Sequence, residues 1–268
     1  SYCPARPIKK SGPHSCLERG ANMARFFLPR QKIRGRKGFL EGQELEHMRR
    51  VLRLGPGDRV TVFDDEGKEH EAVLRSYTPE TGEVEILRSY EPNRDSLLEI
   101  TLAQALGKGD KMDWIVEKST ELGVKVIVPF LSSYTVPRPD AGGIERRRER
   151  WKRIALSAAK QSRRSQIPEI GEFMDFSGLI GKPWPCDLKL LFWEGEKVEG
   201  LAQLRKERAD LGSLLLVVGP EGGFNVGEVE EAWRQGFRSV RIGKRILRSE
   251  TAALAAVTVV QFLWGDMG

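Results

Sequence analysis

The chain has 268 residues, 40% of them hydrophobic, and a formal net charge of +6, which fits about two packed domains and permits a polyanionic partner. Its apolar runs fall short of the roughly 18 residues of a membrane span. Its three cysteines (Cys3, Cys16 and Cys186) show neither CxxC spacing nor a histidine at ligand spacing, so we expect a protein of the reducing cytoplasm without a disulfide framework, a metal or a membrane partner.

Residues 1–22 mix proline, glycine and basic residues without apolar periodicity, so we expect a disordered extension or a tag. From residue 23 to 95, short β-rich segments alternate with turns; they are 60–63 (VTVF), 71–77 (EAVLRSY) and 83–90 (EVEILRSY). This pattern predicts a small β-barrel. The segment 47–58 (HMRRVLRLGPGD) is typical of a short helix that Gly55 ends, and the polar segment 91–96 (EPNRDS) is the predicted hinge between domains.

From residue 96 to 268, apolar strand-like segments alternate with amphipathic helical ones. The predicted strands are 98–106, 126–131, 187–193, 213–218 and 239–242, and the predicted helices are 110–122, 143–163, 198–207, 225–235 and the C-terminal segment from 249. This alternation predicts an α/β domain with a parallel sheet covered on both faces. We expect Asp110 to cap its helix and Gly123 to end it, while Asn225 and Glu228 match a capping box.

A glycine-rich turn follows the most apolar of these strands. Gly219-Pro220-Glu221-Gly222-Gly223 lies directly after SLLLVV (213–218), at the kind of strand end where open α/β sheets bind ligands. Neither GxxxxGK[ST] nor GxGxxG is present, and Glu221 would repel a polyphosphate at the same amides. The turn therefore favours an uncharged or cationic ligand, such as an adenosyl sulfonium. The alternative is a turn whose glutamate only caps the next helix.

A second unusual segment is IGKRILRSETAALAAVTVVQFLW (242–264). Its helix begins near Ser249 and is apolar on nearly every side, which predicts burial in the core or at a subunit interface. Arg248 and Glu250 border this apolar run, where unpaired charges are costly, so we expect them to have partners or a ligand. The alternative is a plain helix start.

Basic residues concentrate in two places. Between Arg25 and Lys37 there are six basic residues and no acid, and between Arg138 and Gln166 there are ten basic residues against three acidic ones. We interpret these clusters as nucleic-acid contacts, with a solvated basic surface as the alternative.

Four motifs behind the small β domain together resemble the RsmE family of ribosomal RNA uridine methyltransferases: GDKMDWIVEKSTELGV (109–124), QSRRSQIPEI (161–170), GPEGGF (219–224) and RILRSETA (245–252). The resemblance covers the chain from residue 23 to the C-terminus. It implies a PUA-like barrel for RNA at 23–95 and a SPOUT methyltransferase domain at 96–268, in which the chain threads a trefoil knot. It also implies a homodimer that uses S-adenosylmethionine to methylate N3 of a uridine in 16S (small-subunit) ribosomal RNA.

The resemblance also assigns site residues. It implies that the cofactor pocket is lined by Phe192, Trp193, Glu194, Gly219, Glu221, Gly222, Ile242, Leu247, Arg248 and Thr251. We expect RNA contacts from both basic clusters, at Arg25, Arg30, Lys32, Arg34, Arg147, Arg150, Arg163 and Arg164. Where the family usually has a glycine in the 161–168 segment, this chain has Arg163, which brings the local turn into question.

Methylation of N3 requires loss of the N3 proton, so the site needs a base or cations that stabilise the anionic ring. Arg164 and Arg248 are the candidate cations, and Glu221 is the candidate base. Three alternatives stay open: an enzyme of the same fold that acts on another RNA position, a non-catalytic RNA-binding protein, and a nucleotide-using α/β enzyme.

Overall fold

The computed structural model describes residues 23–92, 94–136, 138–196 and 200–268, so the predicted extension 1–22, with Cys3 and Cys16, lies outside the described residues. The described chain forms two compact units. The first contains the residues up to Val62 and His70–Ser89, and the second contains Phe63–Glu69 and Tyr90–Gly268. Glu69 illustrates why 63–69 belongs to the second unit, because its buried carboxylate accepts hydrogen bonds from Tyr90 (2.9 Å) and Arg94 (3.1 Å). The predicted boundary at 95/96 stays a prediction.

The first unit is built on a six-stranded sheet. Its strands are β1 Arg25–Phe27, β2 Ile33–Arg34, β3 Lys37–Glu41, β4 Arg59–Phe63, β5 Glu69–Tyr77 and β6 Thr81–Tyr90, in the order β1-β4-β5-β6-β3-β2. Along β6, alternate residues Gly82, Val84 and Ile86 are buried and face one apolar core. The three strands predicted here are confirmed, each one or two residues longer than its apolar pattern.

The helix predicted to begin at His47 and to be ended by Gly55 is wrong at both ends. Helix α1 spans Gly42–Glu46 and continues into a π-helical turn, His47–Val51, so the helical segment begins five residues earlier and ends before Gly55. Leu45 and Met48 are buried in it and anchor the segment to the sheet. Only two apolar side chains of this segment point into the core. So few apolar residues show no 3.6-residue periodicity, and the sequence pattern therefore does not reveal where the helix begins.

The second unit is an α/β domain with a seven-stranded parallel sheet, as predicted. Its strands are β7 Glu99–Ala105, β8 Val126–Leu131, β9 Glu169–Ile170, β10 Met174–Asp175, β11 Leu188–Phe192, β12 Ser213–Val218 and β13 Arg238–Val240. The order is β10-β8-β7-β12-β11-β13, with β9 paired to β8, and the pairs are parallel. Strands β9 and β10 are too short to give a sequence signal. The trefoil knot stays a prediction of the family resemblance.

Helices cover both faces of this sheet. They are α2 Lys111–Glu121, α3 Ala141–Gln161, α4 Phe176–Gly181, α5 Leu201–Glu207, α6 Val226–Arg234 and α7 Ser249–Trp264. The unbroken apolar run of β12 serves two cores at once. Leu214 and Leu216 pack into the cluster shared with α2, α3, α5 and α7, while Leu215 and Val217 pack into the cluster shared with α4 and α6. This is why the strand shows no polar alternation.

The predicted helix ends are mostly confirmed. Gly123 has φ +90°, which ends the helix region after α2, and Asn225 with Glu228 forms the capping box of α6. The prediction for Asp110 is wrong, because its side chain makes no cap hydrogen bond and lies 3.7 Å from the Arg150 guanidinium instead. The helix predicted at 198–207 is α5, and residues 198–199 lie outside the described residues.

None of the helices in the described ranges combines the length and the hydropathy that a bilayer crossing requires.

The turn after α3 holds an arginine in a strained conformation. Arg163 is exposed and has φ +61°, in the left-handed region that favours glycine, the residue usual in the resembled family. We therefore expect Arg163→Gly to raise the free energy of unfolding by roughly 0.5–1 kcal/mol, because relief of the strain exceeds the entropy cost of glycine. Urea denaturation of both proteins measures this, and Arg163→Ala, which keeps a Cβ, is the control that should gain nothing.

Candidate functional site

One row of residues across the parallel sheet positions the site. Gln104 pairs with Val218, Val218 with Phe192, and Phe192 with Val240, so β7, β12, β11 and β13 end at the same level. The segments that follow these strands therefore meet at the carboxyl edge of the sheet, where ligands bind in such folds.

A cavity of roughly 290 Å³ opens at this edge, near the lower limit of typical small-molecule sites. Three segments and the start of α7 surround it. Its walls are Phe192, Trp193, Glu194, Val218, Gly219, Pro220, Glu221, Gly223, Phe224, Val240, Arg241, Ile242, Gly243, Lys244, Arg245, Ile246, Leu247, Arg248, Ser249 and Ala252.

Eight of the ten predicted pocket residues line this cavity: Phe192, Trp193, Glu194, Gly219, Glu221, Ile242, Leu247 and Arg248. Gly222 and Thr251 are not among its walls. A Cβ at Gly222 would lie 3.0 Å from Cβ of Tyr134, so this glycine permits close packing against the 131–136 loop. Thr251 is exposed on the first turn of α7.

A buried hydrogen-bond chain ties α7 to the glycine turn. Gln104 is fully buried, and its Nε2 donates to Oγ of Ser249 (2.9 Å) and to the backbone carbonyl of Ala105 (3.0 Å). Ser249 Oγ in turn donates to the backbone carbonyl of Gly219 (2.6 Å). These hydrogen bonds hold Gly219, the residue after β12, against Ser249, the first residue of α7. Sequence reasoning missed Gln104, because a single polar residue in an apolar strand has no periodic signal.

A charged cluster joins the same two segments from the outside. Nζ of Lys111 lies 3.0 Å from Oε1 of Glu221 and 3.1 Å from Oε2 of Glu250, so it forms an ion pair with each carboxylate. The backbone N–H of Lys108 also donates to Glu221 (3.2 Å). Glu250 therefore has an ion-pair partner, as the sequence predicted, but the sequence did not identify Lys111 as that partner.

These contacts set the ionisation of the cluster. Burial raises the pKa of Glu221, but the hydrogen bonds from Lys111 and from backbone N–H groups outweigh it, so the net pKa lies below the ordinary value. The pKa of Glu250 is lowered by the same balance of burial against its hydrogen bonds. The hydrogen bond to Glu221 raises the pKa of Lys111. A carboxylate with a lowered pKa is a weaker base, which argues against Glu221 as the group that removes the N3 proton.

Glu221→Gln is expected to lower stability at neutral pH by no more than about 1 kcal/mol, because the lost ion pair is partly exposed. The pKa of folded Glu221 lies below its ordinary value of 4.5, so this stabilisation is present above a pH of about 4.5 and is lost as the pH falls through the folded value. Urea denaturation of the unchanged chain and of Glu221→Gln across this pH range measures whether their free energies of unfolding become equal at low pH. Glu230→Gln, at an exposed ion pair of α6, is the control.

The glycine turn alone indicated a site that repels phosphate, but the cavity has more basic than acidic residues in its walls. Glu194 and Glu221 are its acids, whereas Arg241, Lys244, Arg245 and Arg248 are also among its walls. The carboxylate of Glu221 is moreover paired with Lys111, so its repulsion of a phosphate is largely offset. The basic residues come from the 241–248 segment, which the tertiary structure brings to the turn.

Arg164 does not line the cavity, which corrects the role expected for it. Its buried guanidinium donates to Oδ1 of Asp95 (2.7 Å) and to the backbone carbonyls of Thr120 (2.7 Å) and Val124 (2.9 Å). Oδ2 of Asp95 accepts from the N–H groups of Ser165 (3.1 Å) and Gln166 (3.2 Å). Arg164 therefore fixes the turn after α3, and burial keeps it from an RNA phosphate.

The other expected RNA contacts lie in both units. In the first unit, Arg30 and Arg34 are exposed, Lys32 pairs with Glu41 (2.7 Å), and Arg25 is half-buried on β1. In the second unit, Arg147 and Arg150 lie on α3 and Arg163 on the turn after it. Arg150 forms an ion pair with Asp113. These positions stay predicted RNA contacts.

Among the described residues, no group of three or more histidine, cysteine, aspartate or glutamate side chains is arranged to hold a metal ion.

Comparison with known proteins agrees with this architecture. Residues 94–261 match the family model described as an RNA methyltransferase domain, and residues 40–87 match that of the RNA methyltransferase PUA domain. The ribosomal RNA small subunit methyltransferase E of Bacillus subtilis is 31% identical over 90% of this chain and 96% of its own length. That of Aquifex aeolicus is 33% identical over 86% and 96%, respectively.

A crystal structure gives the same result. The ribosomal RNA small subunit methyltransferase E of Neisseria gonorrhoeae, bound to S-adenosyl methionine, superposes with a TM-score of 0.82 and 36% identity over 92% of this chain and all of its own. The family match spans more than half of the chain, and the relatives are covered almost completely. The chain therefore belongs to the ribosomal RNA small subunit methyltransferase E family, RsmE.

Proposed function

We propose that this protein transfers the methyl group of S-adenosylmethionine to N3 of a uridine in 16S ribosomal RNA. The observation that carries the proposal is the cavity at the carboxyl edge of the parallel sheet, which is walled by eight of the ten residues that family resemblance assigns to the cofactor. The relatives and the cofactor-bound crystal structure support the same activity.

The chemistry of the cavity walls fits this cofactor. S-adenosylmethionine, when bound, supplies a methyl group on a sulfonium and carries an ammonium and a carboxylate besides. The apolar residues Phe192, Val218 and Leu247 suit its adenine ring. Acidic and basic groups stand together in the walls, as a ligand with both signs of charge requires. The walls also include Gly219 and Gly243, where backbone can approach a ligand closely.

The same walls suggest how the uridine loses its N3 proton. Glu221 is held as a carboxylate by Lys111 and has a lowered pKa, so we do not assign it the role of base. Arg248 is exposed and lines the cavity together with Lys244 and Arg245 of the same segment. Cations there would stabilise an anionic uracil ring while the proton passes to water. Arg248 therefore keeps its proposed catalytic role, and alignment of the reactants supplies much of the remaining rate.

The test uses the full chain, labelled S-adenosylmethionine and small-subunit ribosomal RNA from cells that lack this activity. We expect the label in 3-methyluridine after digestion to nucleosides and mass spectrometry. Label in another nucleoside would point to an enzyme of the same fold with another target. Cofactor binding by calorimetry without any transfer would point to a non-catalytic RNA-binding protein, and binding of ATP in its place to a nucleotide-using enzyme.

We further propose that the protein acts as a cytoplasmic homodimer. Helix α7 supports this proposal, because only one of its sides is buried within the single chain, at residues such as Ala253, Val257 and Val260. Other apolar side chains of the helix are half-exposed, and Phe262 is 61% exposed. A helix with apolar residues all around is stable when a second surface covers it. Sedimentation velocity measures whether the chain is a dimer.

A further inference from the structure

The left-handed backbone positions of the chain include two arginines. Among the described residues, Arg53 (φ +52°) and Arg163 (φ +61°) are the residues other than glycine with positive φ, and both are exposed. This conformation strains most residues other than glycine, and such strained positions cluster at functional sites. Arg163 is one of the predicted RNA contacts, whereas Arg53 lies in the first unit outside the contacts predicted there.

Arg53 ends the π-helical turn of the first unit. The N–H of Leu52 donates to the carbonyl of His47 (3.0 Å), and the N–H of Leu54 donates to the carbonyl of Met48 (3.1 Å). Arg53 thus occupies the position after a helix where glycine is usual.

The residues before Arg53 place apolar and basic groups side by side on the surface. Val51 is 68% exposed and Leu52 is 40% exposed, which is unusual for adjacent aliphatic residues in a folded unit. The side chain of Arg50 is 79% exposed and has an ion-pair partner in Glu46 at 3.5 Å. Residues 46–53 contain three arginines (Arg49, Arg50 and Arg53) and one acid (Glu46), so this segment carries an excess of positive charge.

Arg49 is held in place by three contacts. Its guanidinium carbon lies 5.0 Å from the ring centroid of Tyr77, and its N–H groups donate to the carbonyls of Thr78 (3.3 Å) and Pro79 (3.4 Å). Arg49 and Tyr77 both stay partly exposed. RNA bases stack on aromatic rings and on arginine guanidinium planes, and the Arg49–Tyr77 pair offers both groups at the surface.

We propose that residues 49–53 and Tyr77, the arginine turn, bind a single-stranded segment of the RNA substrate. Arg50 and Arg53 contact phosphates, while Val51, Leu52 and the Arg49–Tyr77 pair contact bases. The proposal rests on the proposed function and adds to it a surface other than the predicted cluster at Arg25–Arg34. That cluster and the arginine turn lie at opposite ends of β3, because Arg34 pairs with Lys37, the first residue of β3, whereas the helical segment follows Glu41, the last one.

The family match favours RNA over a membrane or a protein partner. The whole arginine turn lies within residues 40–87, the part that matches the RNA methyltransferase PUA domain, whereas Arg25–Arg34 lies outside that match. A helix C-terminus attracts basic side chains by its dipole alone, but the dipole accounts neither for the exposed Val51 and Leu52 nor for arginine in place of glycine at position 53.

The test measures binding of the full chain to a fluorescent oligouridylate and to a small-subunit ribosomal RNA transcript at several salt concentrations. Arg50→Ala combined with Arg53→Ala is expected to weaken binding roughly fivefold per arginine at about 0.1 M salt, and to reduce the salt slope by about 0.7 for each lost phosphate contact. Arg53→Gly alone is expected to weaken RNA binding without lowering Tm, because the strain disappears with the charge. A variant that lost affinity through unfolding would show both weaker RNA binding and a lower Tm.

Arg234→Ala is the matched control, because Arg234 and Arg50 both form exposed ion pairs with a glutamate one helical turn earlier, at 3.6 and 3.5 Å. It should bind RNA like the unchanged chain. Unaltered affinity and salt slope in the double variant would overturn the proposal, as would unaltered RNA binding with reduced binding to phosphatidylserine vesicles. An unchanged chain that methylates ribosomal RNA in the same series shows that the proposed function survives such a result.

Discussion

Arg164→Ala is expected to lower the free energy of unfolding by about 3–5 kcal/mol, the usual cost of removing one partner from a buried ion pair. The substitution leaves the Asp95 carboxylate without its guanidinium in an environment where the two side chains are only 10% and 6% exposed, respectively. It also removes the donor to the carbonyls of Thr120 and Val124. Urea denaturation at neutral pH measures the loss.

A double-mutant cycle separates this structural role from a catalytic one. Arg164→Met with Asp95→Leu removes both charges, so its cost should be smaller than the sum of the two single changes. Turnover is then measured on the double variant at a temperature where it is folded. Normal methylation by a folded double variant agrees with the structure, whereas loss of methylation with intact folding and cofactor binding would return Arg164 to the mechanism.

Ser249→Ala is expected to have the largest effect on the cofactor site. The serine hydroxyl donates to the buried carbonyl of Gly219 and accepts from Gln104, so its removal leaves the carbonyl without this donor at a cost of about 1–3 kcal/mol. Because Gly219 and Ser249 are both cavity walls, we expect the affinity for S-adenosylmethionine to fall by about tenfold, the equivalent of 1.4 kcal/mol. Calorimetry with the pure protein measures it.

Thr251→Ala is the matched control for this change. It removes a hydroxyl two residues further along the same helix, on a residue that is exposed and does not line the cavity. Its cofactor affinity should equal that of the unchanged chain. A loss in Thr251→Ala as large as that in Ser249→Ala would restore the first assignment of Thr251 to the pocket, and equal affinities in all three proteins would exclude the hydrogen-bond chain from cofactor binding.

Several features of the site were open to prediction because their signals are local. The glycine turn indicates the end of a strand, and the helix after it begins at a capping box formed by Asn225 and Glu228. The motif RILRSETA indicates the start of α7. Specific motifs of this kind identified eight residues that line the cavity. The short strands β9 and β10 and the early start of α1 were missed, because elements of a few residues have no periodicity to detect.

The sequence by itself determined the class of each half of the chain, the parallel sheet and the family, because apolar periodicity, turn residues and contiguous motifs are properties of neighbouring residues. Only the tertiary structure decided which charges meet. Lys111 joins Glu221 to Glu250 across more than a hundred residues, Arg164 turns inward to Asp95, and four basic residues of the 241–248 segment line the cavity beside Glu221. Pairing and burial depend on distances between remote segments, and these distances set the free energy of a charge far more than its residue type does.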